Sequence, residues 1–63
     1  MPSYMVVCSF YDEFEEKTVY TSNFTDDYSS ACNCRMDCAC GLGGKAQIYI
    51  WDPSDDEYKF LEE

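Results

Sequence analysis

The sequence predicts a small α+β domain in the order ββαββ: one four-stranded antiparallel sheet with a single helix packed on one face. Three observations carry this. Two runs of β-branched and aromatic residues precede residue 23, and two more follow residue 45. A segment with helical spacing separates the pairs. Acidic, Pro or Gly breaks fall between the runs. With 46% hydrophobic and 17% aromatic residues, the chain has the apolar content of a folded domain, not of a solvated acidic tail. Its 63 residues leave room for one compact domain, 1–63.

The elements follow in order. Tyr4 to Tyr11 (Y-M-V-V-C-S-F-Y) reads as a strand, Asp12 to Glu16 as a charged turn, and Thr18 to Ser22 as a second strand. Together they make a hairpin whose turn type no Gly or Asn specifies. Thr25 offers a helix cap, with Asp26 and Asp27 in the positive first turn. Tyr28, Cys32, Met36 and Ala39 recur as one stripe of a helix over about 26–40. Gly41 supplies a stop, and Gly43-Gly44 read as a flexible connection. Ala46 to Trp51 is the third strand. Asp52-Pro53-Ser54-Asp55 is a turn in which Pro presets φ, and Tyr58 to Leu61 returns as the fourth strand.

Strand alternation divides the sheet into two faces. Val6, Cys8, Phe10, Ala46, Ile48 and Ile50 fall on the face expected to carry the helix. Tyr11, Tyr20, Tyr49 and Trp51 fall on the other, as a partner surface or as rings packed on one another or on a loop.

Charge is the dominant functional signal. Thirteen Asp and Glu oppose four Lys and Arg, giving a formal charge of -9 with no His. Direct nucleic-acid binding is disfavoured, since holding phosphates requires Lys and Arg. A sheet of six- or seven-residue strands places Asp12, Glu13, Glu15, Glu16, Glu62 and Glu63 at one end. Asp26, Asp27, Asp52, Asp55, Asp56 and Glu57 gather at the other, about 20–23 Å away at roughly 3.3 Å per residue. The alternative is that turns are simply where charged residues collect.

Five Cys cannot all pair within one chain. Cys32, Cys34, Cys38 and Cys40 form a C-x-C-x3-C-x-C run whose C-x-C units resemble those of metallothionein-type clusters. Helical geometry works against one ion taking all four, since Cys34 and Cys38 share one face while Cys32 and Cys40 share another. The expectation is reduced, structural thiols, with metal binding or a redox role as the alternatives, and Cys8 buried in its strand. No cofactor is expected. Without His the commonest general base is missing, and so short a chain has little room for a substrate pocket, so an enzyme is not expected. Gly41-Leu42-Gly43-Gly44-Lys45 follows a helix, whereas a phosphate loop precedes one.

Met1-Pro2 and the lack of a basic, apolar leader suggest an intact cytoplasmic product. No run approaches a membrane span. A domain this small is marginal, so dimerisation, a metal or a disulfide would each help it.

In size, acidity, β-rich composition and lack of a catalytic set, the chain resembles small phage-encoded DNA-mimic inhibitors, including anti-CRISPR proteins. That resemblance implies a basic nucleic-acid-binding partner, such as a CRISPR effector, in a host cytoplasm. The candidate contacts are the acids of both ends (Asp12, Glu13, Glu15, Glu16, Asp26, Asp27, Asp52, Asp55, Asp56 and Glu57), with Tyr49 and Trp51 as aromatic anchors. A cysteine-thiolate module and an adaptor assembling through the aromatic face are the competing expectations.

Overall fold

A computed structural model of the chain describes residues 1–41 and 43–63, without the side chains of 39–41. The order is β1 (Tyr4–Asp12), β2 (Lys17–Thr25), α1 (Tyr28–Gly41), β3 (Lys45–Asp52) and β4 (Glu57–Glu62). The strands form one sheet in the order β2-β1-β3-β4, every neighbour antiparallel. This is the expected α+β architecture, with longer strands than the sequence indicated. Strand β2 continues three residues past Ser22, because Asn23, Phe24 and Thr25 keep pairing with Val6, Met5 and Tyr4.

The core lies between the two central strands and the helix. Val6 and Cys8 of β1, Ala46 and Ile48 of β3, and Ala31 and Cys38 of α1 are its buried residues. Among the described residues only Val6 and Ile48 are both large and fully buried, each worth about 1.5–3 kcal/mol. Phe10 and Tyr4 pack at the margin, while Ile50, expected under the helix, is 37% exposed where the sheet outruns it.

The buried stripe of α1 is not the expected one. Ala31, Cys34 and Cys38, spaced i, i+3, i+7, face the sheet; of the expected stripe, Cys32 packs against the core, whereas Tyr28 and Met36 are exposed. Ala39, the last member of the expected stripe, has a side chain outside the described residues. Small side chains let the helix axis approach the sheet closely, which a Tyr-Met stripe would prevent. The start is also corrected. Asp27, not Thr25, is the cap: its carboxylate accepts from the Ser30 amide (3.0 Å) and hydroxyl (2.9 Å). The Thr25 hydroxyl accepts from the Asp27 amide one step earlier.

A disulfide joins Cys8 to Cys38, with Cα atoms 6.1 Å apart, and so fastens the helix to the central strand. This overturns the expectation of reduced thiols at both positions. The pairing follows from topology, since β1 and α1 cross where both cysteines face the core. Past the helix, Gly43 takes φ +65, and Gly44 passes so close to the Ser9 carbonyl that a Cβ would collide with it. The glycines are thus required by geometry rather than by flexibility.

The two hairpins are staggered. Strands β1 and β3 pair from Tyr4↔Ile50 to Ser9↔Lys45, and each hairpin then projects past the shared region in the opposite direction. Asp52 therefore lies level with residue 2 of the β1 line, so the strand ends at Asp12 and Asp52 stand about 33 Å apart rather than 20–23 Å. The longest dimension of the molecule is 41 Å.

Candidate partner-binding surface

Each hairpin turn is built by its first acid. The Asp12 carboxylate accepts from the amides of Phe14 (2.9 Å) and Glu15 (3.3 Å), and that of Asp52 from the amide of Ser54 (2.9 Å). Each four-residue loop closes on a residue with positive φ, Glu16 and Asp56, both at 55.

At the first end, Lys17 pairs with Glu15 at 2.9 Å. Glu13 and Glu16 have no ion pair or side-chain hydrogen bond among the described residues, and Phe14 at the tip is fully exposed. Four acids and one lysine leave this end a formal charge of −3. At the second end, Lys59 reaches Asp55 (2.6 Å) and Glu57 (3.3 Å), and the Asp55 hydrogen bond, then the Glu57 one, hold its pKa above the usual lysine value. Asp26 accepts from the Ser3 amide at 2.9 Å, and Asp27 caps the helix. Six acids and Lys59 leave a formal charge of −5.

Glu62 and Glu63 do not join the first end. Strand β4 stops at Glu62, opposite Ile48 and so level with Val6, six residues short of Asp12. Glu62 instead turns to the helix side, where Arg35 reaches it at 3.3 Å and the Tyr28 hydroxyl donates to it. That hydrogen bond, with a smaller one to Cys32, pushes the Tyr28 phenol well above its ordinary pKa. Arg35 also donates to the Glu63 carbonyl at 2.9 Å. The expected cluster of six is thus a cluster of four.

Between the ends, the sheet face away from the helix is aromatic. Trp51 meets Tyr58 edge-on at 5.0 Å between ring centres, and Tyr49 meets Phe60 at 5.9 Å. Phe24 reaches Tyr58 at 5.9 Å. Both expected anchors, Tyr49 and Trp51, are therefore half-buried by neighbouring rings, while Tyr11, Tyr20, Phe24 and Phe60 stay exposed. Phe24, Tyr58 and Phe60 were not among the sequence candidates. Counting by twos from Tyr20 reaches Phe24, and pairing outward from the Asp52–Glu57 turn sets Tyr58 against Trp51 and Phe60 against Tyr49.

The cysteine run is divided. Cys38 is held by Cys8, Cys34 packs on the core margin, and Cys32 sits 4.0 Å from an Arg35 nitrogen. The side chain of Cys40 lies outside the described residues. With Cys38 in a disulfide, a site using all four sulfurs is ruled out in this state, and among the described residues no group of three or more His, Cys, Asp or Glu side chains is placed to hold an ion. A shallow open depression of about 390 Å³ lies beside Arg35, Met36, Lys45, Ala46 and Glu63, away from both acidic ends. Among the described residues no helix is long and apolar enough to cross a membrane.

Comparisons of the chain with family models, with curated proteins and with solved structures find no match.

Proposed function

We propose that this protein is a non-enzymatic acidic inhibitor that occupies a basic nucleic-acid-binding surface of a partner protein, such as a CRISPR effector, and keeps DNA from it. One observation carries the reading: the excess negative charge is segregated into two ends separated by an aromatic sheet face. Their spacing of about 33 Å is close to the roughly 34 Å of one turn of B-DNA. A partner whose Lys and Arg track phosphates over one turn would therefore meet carboxylates at both extremes. Glu13, Glu16 and Asp56 are the most available contacts. Charge complementarity speeds and orients encounter, and occupation of the groove excludes nucleic acid. In this reading the protein works in a host cytoplasm and does not itself bind DNA.

The test is capture of partners from host lysate at low and high salt, followed by competition with duplex DNA. The expected result is a nucleic-acid-binding protein retained at low salt, released at high salt and displaced by DNA. Neutralising Glu13, Glu15, Glu16, Asp55, Asp56 and Glu57 to Gln or Asn should abolish capture. Unchanged binding by that variant would overturn the proposal. The exposed rings favour a second reading, an adaptor assembling through the aromatic face. It differs in expecting binding that salt does not weaken and that Phe24→Ser with Phe60→Ser removes.

A further inference from the structure

The two edges of the sheet are treated differently. Strand β4 is short, carries Glu57, Lys59 and Glu62 among six residues, and has a register shift opposite Ile48 and Tyr49. Charge, brevity and irregularity are the usual defences of an exposed edge. Strand β2, past its first residue Lys17, has none of them. From Thr18 to Thr25 it runs T-V-Y-T-S-N-F-T, eight residues without charge, Pro or Gly, in a chain that is 27% charged. Its nine-residue register with β1 is unbroken, and only Val19 and Thr25 are half-buried. The uncharged stretch is about 26 Å long.

Its outward hydrogen-bonding groups can be assigned. The Trp51 amide donates to the Ser3 carbonyl, so odd residues of β1 face β3 and even ones face β2. The partners of those even residues are odd-numbered, which leaves the N–H and C=O groups of Thr18, Tyr20, Ser22 and Phe24 directed away from the sheet.

We infer that β2 is the pairing edge for a second copy of this chain, joined antiparallel about a two-fold axis at Ser22. This register sets Tyr20 of each copy opposite Phe24 of the other, two aromatic cross-strand pairs. It also brings Lys17 level with Asp26 and Asp27 of the second copy, so the cation beside the first end meets acids of the other copy's second end. Shifting the axis to Thr21 would instead oppose Glu16 to Asp26 and lose both aromatic pairs. Two chains of charge -9 repel over most of their surfaces. The ends that this register brings together carry −3 and −5, but the edge itself is uncharged and Lys17 is the residue it sets against Asp26 and Asp27, so the edge is where two copies can meet. The resulting eight-stranded sheet carries one continuous aromatic face. This inference stands independently of the inhibitor proposal.

Sedimentation equilibrium of the full chain from micromolar to millimolar, with thiols alkylated to prevent cross-linking, tests it. The expected result is a monomer–dimer equilibrium, tightened by added salt as repulsion is screened, with Thr18, Tyr20, Ser22 and Phe24 amides gaining exchange protection as dimer forms. Ser22→Pro removes one outward N–H yet spares the ladder to β1, so it should give a monomer with unchanged circular dichroism. Ser22→Lys opposes two ammonium groups and should weaken the dimer several-fold, while Lys59→Ser on β4 leaves it intact. A monomer at every concentration, a dimer unaffected by Ser22→Lys, or protection gained along β4 would overturn the inference.

Discussion

The two hairpins share a turn and differ in what stands beside it. In both, an Asp before the loop accepts from an amide two residues on, and the last loop residue takes φ 55. Beyond the shared region the β3–β4 arm is braced. The Trp51 amide bonds Ser3, the Tyr58 hydroxyl donates to the Pro2 carbonyl at 2.6 Å, and Tyr58 sits between Trp51 and Phe24. Among the described residues the β1–β2 arm past Ser9 has neither a third strand nor such a ring cluster, and Tyr11 and Tyr20 are 61% and 71% exposed. Identical local turn chemistry therefore gives two arms of unequal strength. An isolated two-stranded arm is marginal in water, so the first hairpin should open locally while the second opens with the whole fold.

Reduction of Cys8–Cys38 tests this with the largest effect. The bond closes a loop over a sequence separation of 30, so its loss should cost about 3–4 kcal/mol in urea unfolding. Native-state hydrogen exchange then separates the arms. Trp51 and Lys59 amides, which bond Ser3 and face Ile50, should accelerate with the global loss, whereas Asp12 and Lys17 amides, already opening locally, should not change. Equal acceleration in both arms would refute the asymmetry.

The ring cluster gives the next largest contrast. Tyr58→Ala removes the half-buried ring between Trp51 and Phe24 and the Pro2 hydrogen bond, an expected cost of about 2–3 kcal/mol. Tyr20→Ala on the exposed arm, measured in dilute solution, should fall within about 0.5 kcal/mol of wild type. Similar losses at both positions would show that the first arm is braced after all.

What the sequence revealed and what it hid follow the range of the interactions. Element order was legible because strand and helix periods and the Asp-Pro-Ser-Asp turn are local. The stagger was not, since the register between β1 and β3 depends on contacts some forty residues apart. The buried stripe of α1 was misassigned because Tyr28 and Met36 weigh more as apolar residues than Ala31, Cys34 and Cys38, although the latter fit a close helix–sheet approach. The disulfide was hidden for the same long-range reason: only the fold brings Cys8 under Cys38. Charge clustering was partly legible. Asp12, Asp27 and Asp52 turn out to organise turns and a cap, as the plainer explanation of acidic turns requires, while Glu13, Glu16 and Asp56 have no such duty.

The left-handed residues sharpen the comparison at smaller scale. A non-glycine residue at φ 55 is strained by about 1–2 kcal/mol, less for Asp, whose short side chain tolerates this region. Glu16→Gly should therefore stabilise by about 0.5–1 kcal/mol, and Asp56→Gly by less. If the first arm opens locally, Glu16→Gly should also slow exchange at Asp12 and Lys17 beyond its global effect.

The smallest effect concerns alkaline pH and belongs to the braced side. Lys59, held protonated first by Asp55 and then by Glu57, has a pKa raised above 10.5 in the fold. Its contribution is complete below the unfolded value and is lost as pH rises through the folded one. Tyr28 acts in the same direction, because its hydrogen bond to Glu62 keeps the phenol neutral after the unfolded chain begins to ionise at 10.0. Stability from these two groups should be flat through neutral pH and decline above about pH 10, the unfolded tyrosine value. With thiols alkylated, Lys59→Met should make that decline shallower and confine the remainder to Tyr28, and adding Tyr28→Phe should flatten it further. An alkaline limb unchanged in the double variant would mean that neither contact contributes, and the bracing of the β3–β4 arm would then rest on its rings and on the hydrogen bonds to Pro2 and Ser3.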